Sequence, residues 1–175
     1  MMELSVKKFN FKKLVLLAMC VVMALSVMVM SASAAINPAI LPCAADVTVW
    51  QSGSNGTVES MADDAIDGTG TAYAEQDGSN VKITVPIVPI EYGGYMGYIT
   101  GMTIGISGSS VSVTEEPQYD NANMIITAPL TGVTSGVLYD VAFTVELWQY
   151  DEEAGAHEYV TTIPPVAQME FTIPY

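Results

Sequence analysis

"VLYDVAFTVELW", residues 137–148, alternates side chains with a period of two: Val137, Tyr139, Val141, Phe143, Val145 and Leu147 fall on one face. A helix would spread those positions around its circumference, whereas a strand lines them up against a core and turns the intervening residues to solvent. The stretch therefore predicts a long, half-buried β-strand, with Trp148 off the apolar face and Tyr139 in the core.

The same pattern recurs on both sides. "DVTVW" (46–50), "TGTAYAEQ", "VKITVPIVPI", "ITGMTIGIS", "SSVSVT", "MIITAPL", "HEYVTTI" and "AQMEFTI" all read as short strands, separated by turn-forming segments such as "QSGSNG", "DGSN" and "EEPQYDNAN". Pro86 and Pro89 lack the N–H that a ladder needs, which puts their strand at an edge or breaks it there. "EYGGYMGY" reads as a Gly- and Tyr-rich connection. One segment departs from strand character: in "VESMADDAIDG" (58–68), Ser60 is a good N-cap, Asp63 completes a capping-box-like pair, and Gly68 suits a left-handed stop. The expected fold is all-β: an antiparallel, immunoglobulin-like β-sandwich of about eight strands with one short helical turn after the first strand. Residues 35–45 are expected to be an N-terminal leader and 46–175 the domain.

The N-terminus reads differently. Lys7, Lys8, Lys12 and Lys13 precede an apolar run from Leu14 to Met30, and "SASAA" places Ala32 and Ala34 where signal peptidase requires small residues. Residues 1–34 are accordingly expected to be a secretory signal peptide, the alternative being a retained membrane anchor. Met19 and Pro42 before the two cysteines exclude lipoprotein processing. After cleavage one lysine, Lys82, faces eighteen acids, a formal net charge of −17 with no arginine. Such a chain repels phosphate, which argues against nucleic acid and against anionic membrane surfaces as partners. The expected localisation is extracellular, at the wall or released. Cys43 is then the single cysteine and has no internal disulfide partner.

The residues point away from catalysis. A Ser-His-Asp or Cys-His system would have to use His157, and no nucleophile elbow is present. One His and one Cys do not make a zinc site. A calcium loop begun at Asp63 would put Ala65 and Ala74 where ligands belong, although Asp151, Glu152 and Glu153 could hold calcium weakly. The aromatics are more informative. Tyr92, Tyr95 and Tyr98 lie among Gly93, Gly94 and Gly97 and are candidates for contact with a protein or glycan. Trp148, Tyr150 and Tyr159 flank one hairpin and are candidates for a ligand wall.

In order of features the chain resembles the NEAT domains, haem- or haemoprotein-binding β-sandwiches of Gram-positive surface and secreted proteins. The resemblance covers residues 46–173 and is carried by "VTVWQ", the "ESM" turn, "DGTGTAYAEQDGSNVKITVPIVPI", "GYITGMTIGI", "ANMIITAPL", "YDVAFTVELW" and "AQMEFTI". It implies non-catalytic capture and transfer of haem in iron uptake. Ser60 would contact a propionate, Met61 would pack on the porphyrin, and Trp148, Tyr150 and Tyr159 would be the remaining haem-site residues. The family's Y-x-x-x-Y pair, which ligates iron, maps near Ile163 and Ala167, so this sequence departs from the pattern there. The alternative is a non-haem surface sandwich for protein or glycan interaction, or for architecture. A tyrosine facing the Ser60 turn would favour haem; only Ile, Val or Ala there would favour the alternative.

Overall fold

The computed structural model describes residues 34–66, 71–114, 122–153 and 155–174. The segment read as a signal peptide, apart from Ala34, and Gly68 at the expected stop of the turn lie outside these residues. Among the described residues no helix is long and apolar enough to cross a membrane.

The described residues are built almost entirely of antiparallel strands. In order they are β1 (Ala34–Ala35), β2 (Cys43–Gln51), β3 (Ala72–Asp77), β4 (Asn80–Ile87), β5 (Ile90–Tyr92) and β6 (Tyr95–Ile104). There follow β7 (Ser110–Thr114), β8 (Ala122–Pro129), β9 (Thr134–Ser135), β10 (Leu138–Asp151), β11 (Ala156–Ile163) and β12 (Val166–Thr172). Among the described residues the helical content is two 3₁₀ turns, Pro38–Ile40 and Met61–Ala65.

One strand joins the two halves. Cys43–Ala45 of β2 pairs with β3, while Asp46–Gln51 pairs with β12. The first half thus runs β2-β3-β4-β8-β7 and the second β2-β12-β10-β6-β5, with β11 pairing the far end of β10. The apolar faces of both halves contribute to one core: Val81, Ile83 and Val85 of β4 and Met124 and Ile126 of β8 on one side, Val141 and Phe143 of β10 and Met169 and Phe171 of β12 on the other. This is the sandwich-like, all-β arrangement that the alternation around Phe143 predicts. At ~25 cal/mol per Å² of apolar surface, each fully buried Phe or Ile contributes roughly 1.5–3 kcal/mol.

The strand count exceeds the expected eight for two reasons. Segment 91–98, read as a connection, is the turn end of the β5–β6 hairpin, because Gly93 and Gly94 (φ 60° and 85°) adopt the left-handed conformations that a tight two-residue turn requires. Segment 34–45 is part of the fold rather than a leader: Ala34–Ala35 pairs with β9, Ile36 is buried, and Cys43 opens β2. Its lack of periodicity reflects short contacts of different kinds in succession, among them the Asn37 cap of the first 3₁₀ turn.

Two local details follow from residue chemistry. Pairing of β4 with β3 ends at Thr84, Ile66 bridges Ile87 on that side just past Pro86, and the chain leaves for the second half of the sandwich after Ile87, so the prolines mark a break in an interior strand and not an edge. Tyr139 lies tilted on Phe171, with ring centroids 6.0 Å apart. Its hydroxyl accepts from Thr134 N–H at 2.7 Å and reaches the Gly132 carbonyl at 3.3 Å, tying the β8–β9 connection to β10. Ser135 is buried and pins the C-terminus in both directions: its hydroxyl accepts from Ile173 N–H and donates to Ile173 O.

Candidate functional site

The Ser60 turn owes its position to β2. Ser60 N–H donates to Val49 O at 2.7 Å, Gln51 N–H donates to Val58 O, and Glu59 bridges to Trp50. The Ser60 hydroxyl accepts from Ala62 N–H, as an N-cap should. Asp63 does something the capping-box reading does not anticipate. Its carboxylate reaches past the turn and accepts from Val49 N–H at 2.6 Å, locking the turn to a fully buried strand position. Ala65 is buried beneath the turn, and Val88 N–H donates to its carbonyl.

Anchored this way, the turn forms one wall of a groove of about 300 Å³. Gln51, Ser60, Met61 and Ala62 stand on the wall. The floor is the inner face of the second half of the sandwich, crossing Ile90 of β5, Gly97 and Ile99 of β6, Val145 and Leu147 of β10, and Ile163 of β11. Period-two alternation explains why these residues share a face. Val145 and Leu147 continue the stripe of Val141 and Phe143, but Leu147 is only half-buried because the facing half of the sandwich does not extend over it. Gly97 keeps the floor low: a β-carbon there would lie 3.3 Å from Ile90 Cγ1 and 3.5 Å from Val145 Cγ1. Tyr92, largely exposed, closes the far end.

The structure brings together some of the residues singled out above and separates others. Ser60 and Met61 are on the groove wall, and half of Met61 is exposed. Tyr92 and Tyr95 face each other across the β5–β6 hairpin, on the strand face that carries Ile90 and Gly97. Tyr98, one position out of phase, is buried on the opposite face. That opposite face also carries Trp148, whose ring packs edge-on against Tyr98 (6.5 Å) and Tyr159 (5.7 Å) and whose Nε1 donates to Glu146. Tyr150 packs against His157, with centroids 5.3 Å apart, near the hairpin tip. Trp148, Tyr150 and Tyr159 therefore do not join Ser60 and Met61 in one pocket; the β10–β11 sheet lies between them. Of the two positions to which the Y-x-x-x-Y pair maps, Ile163 lines the groove and Ala167 is buried in the core.

The groove is apolar and carries no cation. Lys82 lies elsewhere, on β4, bound to Glu75 of β3 at 2.8 Å; that hydrogen bond and the carboxylate's charge raise its pKa above the usual lysine value. Cys43 is half-buried, and burial pushes its thiol pKa up. Among the described residues no group of three or more His, Cys, Asp or Glu side chains could hold a metal ion. The arrangement offers shape and apolar contact with a few hydroxyls at the rim, which suits binding. No family model matches the chain, and neither a curated protein nor a solved structure matches it.

Proposed function

We propose that the protein is a non-catalytic capture domain whose groove takes a flat, largely apolar ligand, with haem as the ligand that the resemblance to NEAT domains singles out. The observation that carries this reading is the groove itself: an apolar floor across β5, β6, β10 and β11 faces a lip clamped to β2 by Asp63 and by the Ser60 backbone. Its volume lies at the lower end of the range for small-molecule sites. The lining fits the porphyrin body through Ile99, Val145, Leu147 and Ile163. The Ser60 hydroxyl would meet a propionate at the rim, and the opposite edge would remain in solvent. The donors on the walls that could meet iron are the Tyr92 phenol and the Met61 thioether, since Tyr150 and Tyr159 belong to the other side of the sheet. The role would be capture and release in iron uptake outside the cell.

Ile163 favours a second reading. It occupies the groove position where haem-binding relatives would place an iron-ligating tyrosine, and an isoleucine there suits an apolar partner without iron. A haemin titration followed by absorbance separates the two. A saturable Soret shift that is lost in Ile163→Asp and altered in Tyr92→Phe or Met61→Leu, but kept in Tyr150→Phe and Tyr159→Phe, is the result expected for haem. The absence of any saturable shift would remove haem and leave the apolar groove to another ligand.

A further inference from the structure

β11 differs from the other strands in a way the groove does not use. It has eight residues, and among the described strands it pairs only with β10, so its second edge is open. Nearly all of its residues are exposed. Natural edge strands are usually blunted by a lysine, a proline, short length or a bulge. β11 contains no lysine and no proline, and its one irregularity is the register shift opposite Leu147/Trp148, which leaves Val160 as the extra residue. Exposed apolar side chains gather here as well: Tyr159 and Val160 on β11, with Tyr150 and Val166 beside them. An open edge flanked by such side chains is the arrangement by which sheets recruit an extended segment of another chain.

The backbone phase identifies the groups on offer. Phe143 N–H donates to Pro165 O, so Phe143, Val145 and Leu147 turn their backbone groups toward the β11–β12 side of β10. Val145 and Leu147 stand opposite Ile163 and Thr161. Thr162, opposite Glu146, is out of phase with them and therefore turns its N–H and C=O to the open edge.

Charge selects the occupant. After residue 34 the sequence has one lysine, Lys82, and no arginine, and Glu146, Asp151, Glu152, Glu153 and Glu158 all lie on β10, β11 or the turn between them. A second copy would bring one heavily acidic surface against another, whereas a cationic segment gains from the same field. We infer that the open edge of β11 is a docking site for an extended, lysine- or arginine-rich segment of a partner protein, added to the sheet as a further strand. This inference does not depend on what the groove binds.

The test uses synthetic peptides of matched length in which valine alternates with lysine, glutamate or serine, titrated onto the protein with binding read by fluorescence anisotropy. The Lys/Val peptide is expected to bind saturably, to weaken as salt is raised, and to bind more tightly than the Ser/Val peptide, with the Glu/Val peptide not binding. Thr162→Pro removes the outward N–H and is expected to lower affinity roughly tenfold or more, whereas Thr162→Ser keeps that N–H and the hydroxyl that bonds the Tyr159 phenol at 2.9 Å, and should bind like the parent. Glu158→Lys changes an exposed side chain and leaves the backbone intact. It should lower Lys/Val affinity about fivefold, which keeps the inference testable if the proline variant does not fold. Equal binding of the lysine and glutamate peptides would overturn it. So would parent-like binding by Glu158→Lys or by a folded Thr162→Pro. A protein that binds none of the peptides but forms a dimer broken by Thr162→Pro would show that the edge takes a second copy, and would also refute the inference.

Discussion

Replacing Asp63 by alanine tests how the groove is held open. The Asp63 carboxylate accepts from Val49 N–H at 2.6 Å, and Val49 is fully buried, so the amide has no ready access to water once the carboxylate is gone. A hydrogen bond from a backbone N–H to a charged acceptor contributes about 1.5–3 kcal/mol, and leaving a buried donor unpaired costs a similar amount. A loss of about 2 kcal/mol is therefore expected for Asp63→Ala, and about half that for Asp63→Asn, which retains a neutral acceptor. In a domain of this size 2 kcal/mol lowers the Tm by roughly 8 °C. Urea unfolding should show a lower midpoint with an unchanged slope, since the surface exposed on unfolding is the same. The control is Asp64→Ala: Asp64 is an exposed neighbour on the same turn, and its loss should change stability by no more than about 0.5 kcal/mol. Equal effects of the two alanine substitutions would refute the tether and make Asp63 an ordinary acid of the first turn. If the tether holds, Asp63→Ala should also weaken groove binding more than its stability loss explains, because Ser60 and Met61 ride on the turn.

Two further outcomes follow from buried polar groups. Tyr139→Phe leaves Thr134 N–H without its acceptor and is expected to cost about 1–2 kcal/mol in urea unfolding, while Tyr73→Phe, at an exposed strand position, should be neutral within about 0.5 kcal/mol. Burial raises the Cys43 thiol pKa, so less thiolate is present at a given pH. Its alkylation by iodoacetamide should be slower in the folded protein than in the urea-unfolded chain, and an apparent thiol pKa at or below the unfolded value would contradict that burial.

Most of the sandwich is legible in the sequence because alternation and turn residues act locally. Val141, Phe143 and Val145 announce the inward face of β10, "DGSN" the β3–β4 hairpin, and Pro86 the end of β4. The segments that were not legible depend on partners distant in sequence. Ala34–Ala35 becomes a strand only because Thr134–Ser135 lies beside it. Cys43–Ala45 extends β2 only because β3 returns to meet it. Tyr92, Tyr95 and Tyr98 read as one cluster in a Gly-rich loop, but the tight turn at Gly93–Gly94 converts that loop into two paired strands. Pleating then sends Tyr98 to the opposite face.

The same geometry explains why the candidate site was only half readable. Ser60 and Met61 stand out because a helical turn is rare among strands, and rarity is visible in one dimension. Trp148, Tyr150 and Tyr159 stand out because they are aromatic, yet aromaticity does not say which face of a strand a residue occupies. The face is set by phase: Val145 and Leu147 are in register with the core, so Trp148 and Tyr150 must be out of register with the groove. On β11 the extra residue at Val160 resets that phase once more and places Tyr159 opposite Trp148 instead of beside Ile163. The floor residues carry no chemical flag, since Ile90, Gly97 and Ile99 resemble core residues of any sandwich; Gly97 and Ile99 are indeed buried, and the floor opens at Ile90, Leu147 and Ile163, which are only partly covered. The β10–β11 ribbon consequently presents two separate surfaces, an apolar one that closes the groove with the Ser60 turn and an aromatic, acid-flanked one that continues to the open edge of β11. Binding at either surface should be separable by substitution from binding at the other, because Ile163→Asp acts on the first and Glu158→Lys on the second.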